Sequence, residues 1–452
     1  MSFRRWTSVP GRLGGSCWLA ALIGGLLAAP APVLAQSGTP APQAPASQIV
    51  LQPEPDRPWG QVRFGAFTLT PHIGISNVGV DMNVYNAANE PRPDFTATIA
   101  GGMDAQYRGT RFETQIQARA RYVYYKTFPQ ERAMNPGVTV RAQYALTHRL
   151  RLFTDDQVEF LKDRPSVEID ARTRRMYSRV TVGAGLRLGE RTDFVVVGES
   201  ERTAYGADVS FLGVALRETL NSTRQRVTGT VSYKLSGYTT IRVIGGGERE
   251  RFPYAGARNG ESGFTRIGVQ FNQRAMISGE VYAGYQLFKS ETVAVQPDYG
   301  AITMDGFLTW RLQDVTHVSA GMQRRMSRSF RLDSPYYVDT TYQASIGRAL
   351  TRVLDVGAGY QYWALGYQRF AGPGALPTDS LTASEDVARA VTLSAGISTR
   401  KRTRLAVYAT NWGRRGAASA LRDYDGWRFG LLLTAGALRI DNRGMFVNGP
   451  GL

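Results

Sequence analysis

From about Val62 onward, apolar and polar residues alternate along the chain with a period of two. Successive side chains of a β-strand fall on opposite faces, so this spacing predicts strands with one polar and one apolar side. Between Arg111 and Tyr125 one face carries Arg111, Glu113, Gln115, Gln117, Arg119 and Arg121. The other carries Phe112, Thr114, Ile116, Ala118, Ala120, Tyr122 and Tyr124. In 175–188, Arg175, Tyr177, Arg179, Thr181 and Arg187 oppose Met176, Val180, Val182, Leu186 and Leu188. In 224–235, Arg224, Arg226, Thr228, Thr230, Ser232 and Lys234 oppose Val227, Val231, Tyr233 and Leu235. Such segments run roughly 11–15 residues, against about 5–6 for the usual globular strand and about 9–11 for a tilted strand crossing a bilayer. Length and alternation together predict transmembrane strands.

The connections alternate as well. Short turns are expected near Gly109-Thr110, Thr147-His148, Gly189-Glu190, Ser236-Gly237, Asn272-Gln273, Gln313-Asp314, Leu350-Thr351 and Arg400-Lys401. Longer polar links fall near 86–93, 127–136, 162–173, 205–221, 251–262, 290–298, 328–335, 368–385 and 414–425. Tight periplasmic turns and long extracellular loops give membrane barrels this asymmetry. The expected fold is all-β: an antiparallel up-and-down transmembrane barrel of about eighteen strands over 59–438. An even count puts both termini on the periplasmic side. Long links such as 368–385 are candidates to fold inward and gate the lumen. Tyr122, Tyr124, Tyr125, Phe128, Tyr282, Tyr285, Phe288, Tyr360, Tyr362, Trp363, Trp412 and Trp427 cluster near strand ends, as an aromatic girdle would.

Composition refines this picture. The mean hydropathy of −0.26 is too polar for a helical membrane protein, whereas half-polar strands can span a bilayer at that value. Arg4, Arg5 and Arg12, the apolar run Trp18–Ala29 and Val33-Leu34-Ala35 read as a signal peptide cleaved after Ala35. The apolar run is too short to cross about 30 Å of hydrocarbon as a helix. Residues 36–58 are rich in proline and read as a flexible periplasmic tail; 439–452 read as a polar C-terminal tail. Cys17 is the one cysteine and lies in the leader, so the mature chain has no disulfide, thiolate nucleophile or cysteine metal site. The formal charge is +17, and removing residues 1–35, which hold three arginines and no acid, leaves +14.

Three features carry a family resemblance: the Pro-rich lead into Phe67-Thr68-Leu69-Thr70-Pro71-His72-Ile73-Gly74-Ile75, the following Asp81-Met82-Asn83-Val84-Tyr85, and repeated glycine-aromatic strands such as Ala283-Gly284-Tyr285-Gln286 and Ala358-Gly359-Tyr360-Gln361. In texture, across most of 60–438, the chain resembles bacterial outer-membrane β-barrel porins of the beta-barrel porin 2-like kind, associated with exopolysaccharide or capsule export. The resemblance implies an outer-membrane location, with lipid and the barrel-assembly machinery as partners, and participation in a polysaccharide-export complex. The chain departs from such barrels at its end: the last good strand, about Gly426 to Leu438, is followed by a polar tail and not by a terminal aromatic residue.

A charge at mid-bilayer on the lipid side costs about 2–4 kcal/mol, so the polar faces are expected to line the lumen. That makes Arg111, Arg119, Arg121, Arg141, Arg175, Arg179, Arg187, Arg224, Arg226, Lys234 and Arg242 candidate anion-binding groups. Guanidinium forks suit carboxylate, phosphate or sulfate, and a cationic channel concentrates anions. The expected function is a channel for anionic solutes, an exported acidic exopolysaccharide among them. The alternative for the same bases is a solvated wall in which they pair with lumen acids, for which Asp155, Glu159, Glu199 and Glu201 stand ready. Those acids also leave open a barrel-borne glycan hydrolase, because residues at i and i+2 on a strand have suitable spacing for paired carboxylates. A lipid hydrolase and a closed scaffold or adhesin acting through its loops are further alternatives. His72, His148 and His317 show no metal-ligand spacing, there is no phosphate-binding glycine loop, and the charges do not gather into a nucleic-acid-binding segment. No cofactor, metal, catalytic residue or nucleic acid is therefore expected, and the chain is read as a non-enzyme.

Overall fold

The computed structural model describes residues 62–436 except 273–274, 294–295, 297, 314, 369–381, 399–403 and 417–421. The leader, the proline-rich tail, the C-terminal tail and most of the 368–385 link lie outside the described residues.

Eighteen strands form a closed antiparallel barrel. In chain order they are β1 (Phe67–Asp81), β2 (Asp94–Arg108), β3 (Phe112–Tyr125), β4 (Ala133–Ala145), β5 (Leu150–Asp163), β6 (Thr173–Arg187), β7 (Thr192–Tyr205), β8 (Ser222–Lys234), β9 (Thr239–Arg251), β10 (Gly260–Phe271), β11 (Ile277–Ser290), β12 (Tyr299–Leu312), β13 (Thr316–Arg328), β14 (Tyr336–Ala349), β15 (Leu354–Gln368), β16 (Thr382–Ser398), β17 (Arg404–Gly416) and β18 (Tyr424–Gly436). Each pairs with its sequence neighbours, and β18 returns to β1 through pairs such as His72↔Gly436 and Asp81↔Arg428. Closure leaves no unpaired sheet edge. At the seam the register slips between Ile75 and Val78, and Asn77 takes a φ of +53°, a left-handed conformation that asparagine tolerates better than most residues. Its amide donates to Thr98 Oγ1 at 3.3 Å. A three-residue strand, Val62–Phe64, folds back on the start of β1.

Strands run from 12 to 17 residues, and the outward face is apolar. Ile116, Ile267, Ile302, Leu393 and Val407 are all exposed, the expected state for side chains that meet lipid. Among the described residues no helix is long and apolar enough to cross a membrane; the strands do that work. The aromatic girdle is thinner than the sequence implies. Tyr122, Tyr285, Tyr360 and Trp427 point outward, but Tyr125, Tyr282, Phe288, Trp363 and Trp412 are buried. Tyr125 follows the parity of inward-facing Arg121, and Trp412 that of Arg414, so strand alternation turns these rings inside.

The long-loop end of the lumen is filled by chain. The link 206–221 folds into a small hairpin and the short helix α1 (Leu216–Leu220). Tyr205, Phe211, Leu216 and Leu220 cluster there with Ile169 and Phe330 from two other loops.

Candidate functional site

Below the loops, the inward charges alternate in sign from strand to strand. Arg141 on β4 bonds one oxygen of Asp155 on β5 at 2.7 Å, and Arg179 on β6 bonds the other at 3.2 Å. Arg224 on β8 stands in register between Glu201 on β7 and Glu250 on β9, 3.8 and 3.3 Å away. One pleat along, Arg226 stands between Glu199 at 3.4 Å and Glu248 at 2.7 Å. Opposite charges directly across a strand pair stabilise the sheet.

Nine of the eleven bases proposed from sequence take part in such pairs. Besides Arg141, Arg179, Arg224 and Arg226, Arg121 and Arg175 converge on Asp163, Arg187 and Lys234 on Asp193, and Arg242 reaches Glu280. Arg187 and Lys234 sit close to the short-turn rim, each about half exposed. Arg119 faces the lumen between Gly102 and Gly137, exposed and without an ion pair among the described residues. Arg111 needs correcting. It occupies the 109–111 turn, which closes through Gly109 N–H donating to Phe112 O at 2.8 Å, so it belongs to the rim and not to the wall. Of the acids, Asp155, Glu199 and Glu201 are engaged as above. Glu159 lies over Gly137, where an added Cβ would come 3.0 Å from its Cγ. The wall is thus a ladder of mutually cancelling charges, and most of its bases are not free to hold an anion.

The second part of the site is the loop 164–172, Arg-Pro-Ser-Val-Glu-Ile-Asp-Ala-Arg. Pro165 lacks an amide donor and ends the strand. Ser166 Oγ accepts the Ile169 N–H at 3.0 Å and turns the chain inward. Val167 then packs with Tyr337, Trp363, Leu365, Tyr367, Trp412 and Tyr424. These residues belong to β14, β15, β17 and β18, and β14 is nine places from β5 in the eighteen-strand ring. The loop therefore crosses the lumen. Ile169 packs with the hairpin and α1.

Arginines pin this crossing. Arg164 donates to Val84 O at 2.7 Å. The fully buried Arg414 donates to Val167 O, to Glu168 O at 3.2 Å, to Asp170 at 3.4 Å and to Asp386. Arg422 bonds Glu168 O and pairs with Asp386 at 3.5 Å. Arg258 is buried and bonds three carbonyls, Thr219 O at 3.3 Å, Ser329 O at 2.6 Å and Arg331 O at 2.6 Å, with no ion pair among the described residues. Burial, with Arg328 alongside, brings Arg258 down to about 10, so it stays charged at neutral pH. At the centre, Glu168 accepts from Ser329 Oγ at 2.6 Å and from Phe330 N–H at 3.3 Å. Burial outweighs those bonds and the nearby Arg422 and Arg414, and pushes its carboxyl up to about 7.

Sequence reasoning missed Arg164, Arg258, Arg414 and Arg422. The available signal was Val167 and Ile169, two apolar residues inside an otherwise polar link. Among the described residues no cluster of His, Cys, Asp and Glu is placed to hold a metal ion.

The family described as Putative beta-barrel porin 2 matches residues 54–407 of this chain. The chain belongs to that family. No curated protein matches the sequence of this porin. Among solved structures it is similar to Pseudomonas aeruginosa OccK11 (OpdR), at 11% identity and a TM-score of 0.41 over 81% of this chain and 95% of that one. It is also similar to P. aeruginosa OccK2 (OpdF) in complex with glucuronate, at 8% identity and a TM-score of 0.47 over 82% and 98%. The FrpB iron transporter of Neisseria meningitidis (F3-3 variant) is similar at 10% identity and 0.42 over 77% and 62%. A porin with an eighteen-strand barrel is an outer-membrane channel, consistent with the bacterial outer membrane and with transport.

Proposed function

We propose that this porin passes small anionic solutes and that its preference is set at the loop collar, not along the wall. The observation that carries this is Arg258: buried, charged and held by three carbonyl oxygens with no direct ion pair among the described residues, near the acid Glu168, whose carboxyl burial pushes up to about 7. The wall below contributes alternating charge that largely cancels. Where the lumen is narrow and poor in water, a small excess of positive charge acts with little screening. A long polymer would have to displace 164–172, so monomers and short anions are the proposed cargo, ahead of an exported acidic exopolysaccharide.

Reversal potentials of the purified porin in planar bilayers under a KCl gradient test this. Anion preference is expected, and Arg258→Gln should reduce it while leaving the barrel folded. Cation preference in the unmodified porin would defeat the proposal.

A further inference from the structure

One patch of the wall breaks the rule that each lumen charge is directly paired with its cross-strand neighbour. Arg266 on β10, Gly284 on β11 and Thr303 on β12 lie in one cross-strand row. Asp305 follows on the same face of β12, next to Tyr282 and Gln323, and Arg325 follows Gln323 on β13. Arg266 makes no hydrogen bond or ion pair among the described residues, and its Nε is buried without a partner. Asp305, also lumen-facing, makes no direct hydrogen bond or ion pair among the described residues, although the charges of Arg266 and Arg325 both act on it through space. Thr303 is 2% exposed, yet its hydroxyl has no partner. Arg325 bonds Asp339 at 3.5 Å and leaves its own Nε unpartnered.

Gly284 explains how these groups are aimed. A Cβ there would lie 2.6 Å from Arg266 Cγ, so the missing side chain lets the Arg266 stem lie across β11 toward β12. Strand spacing puts the Arg266 and Thr303 Cα atoms about 10 Å apart, two inter-strand steps. The guanidinium also covers the Phe264 ring, 5.3 Å from its centroid, and Arg226 lies 5.9 Å from the same ring. Buried polar groups are nearly always satisfied, so three unsatisfied ones around a single notch, on Arg266, Thr303 and Arg325, call for a ligand or ordered solvent.

We infer that this notch binds a polyhydroxylated carboxylate of monosaccharide size, a sugar acid. The inference rests on the anion-channel reading above and deepens it. The carboxylate suits the guanidiniums of Arg266 and Arg325, which donate in a fixed fork. Asp305 is an acceptor only, so it selects ligands that bring hydroxyl donors, and Thr303 accepts or donates as needed. A plain fatty carboxylate satisfies the arginines and strands Asp305. A neutral sugar does the reverse.

The test is calorimetric titration of the detergent-solubilised porin with D-galacturonate, hexanoate and D-galactose. Galacturonate should bind at least tenfold tighter than either comparison compound. Arg266→Gln should weaken galacturonate at least tenfold. Asp305→Asn should weaken galacturonate while hexanoate binds as well or better, a split that general loosening of the wall would not produce. Compact migration of unheated variants on gels confirms folding. Equal binding of hexanoate and galacturonate, or galacturonate affinity indifferent to both substitutions, overturns the site. Reversal potentials on the same samples keep the two claims apart. Anion preference without galacturonate selectivity removes this site alone, whereas cation preference removes the channel reading whether or not galacturonate binds.

Discussion

Replacing Arg414 by leucine should unseat the loop that crosses the lumen. The Arg414 side chain is completely buried and serves two loop carbonyls, Val167 O and Glu168 O, as well as Asp170 and Asp386. Removing one partner of a buried ion pair costs about 3–5 kcal/mol. Part of that cost stays with the barrel, because Asp386 remains in the wall and keeps Arg422 and the Tyr367 hydroxyl. The rest falls on the docked loop, since Asp170 and the two carbonyls regain water only when 164–172 leaves. Assigning roughly half to docking gives about 2 kcal/mol, a shift of about 30-fold in the docked-to-undocked ratio at 1.4 kcal/mol per tenfold. Single-channel recording should show larger or more frequent high-conductance excursions, and limited proteolysis should cut 164–172 faster. Arg415→Leu is the matched control. Arg415 is exposed, its bond to Asp425 is a surface pair worth about 0–1 kcal/mol, and the recordings should not change. A folded Arg414→Leu porin with unaltered conductance, noise and proteolysis would refute the view that this loop is a pinned constriction.

Two further outcomes follow from particular side chains. The Glu168 carboxyl is raised to about 7 when buried, against an ordinary value near 4.5. The docked loop therefore holds a proton that the undocked loop releases. Docking has its full strength below about pH 4.5 and loses up to about 3 kcal/mol as pH rises to about 7, so open-level noise should grow between pH 5 and 8 and become flat with pH in Glu168→Gln. In the ladder, Arg226→Ala strands Glu199 and Glu248 and should cost about 2–3 kcal/mol in urea unfolding of the refolded barrel. Arg249→Ala removes a rim arginine more than half exposed and should cost under about 1 kcal/mol; equal losses for the two would contradict the ladder.

Strand positions and faces were legible because both depend on local order. A period of two needs only neighbouring residues, and the tight links at Gly109-Thr110, Thr147-His148, Gly189-Glu190, Ser236-Gly237 and Leu350-Thr351 fall in the observed gaps between strands. Partnership between strands was not legible. That Arg226 sits between Glu199 and Glu248 depends on register, which closure of the ring and hairpin geometry fix together. The crossing loop was harder still. Val167 reads as one apolar residue in a polar link, and its partners Trp363 and Trp412 lie about two hundred or more positions further along the chain. The inward rings Tyr125, Tyr282 and Trp363 were readable in principle, since strand parity alone separates them from Tyr122, Tyr285 and Tyr360.

Net charge and selectivity are separate properties in this molecule. A formal charge of +17 invites the idea of a uniformly cationic pore, but many of the exposed bases sit elsewhere. Arg149, Arg151, Arg348 and Arg352 lie near the short turns, and Arg174, Arg202 and Lys289 lie on outward faces near the long loops. A lumen lined with unpaired arginines would repel itself around the ring. Alternating Arg with Asp and Glu from strand to strand removes that repulsion and ties neighbouring strands together. Selectivity then needs a place where a few charges count for much, which is where loop 164–172 narrows the lumen and carries Glu168 beside Arg258, Arg414 and Arg422. Salt separates the two populations. At 1 M the Debye length is about 3 Å, so rim charges lose their reach, whereas buried groups are screened far less. A preference that survives high salt therefore comes from the collar, and one that fades comes from the rim.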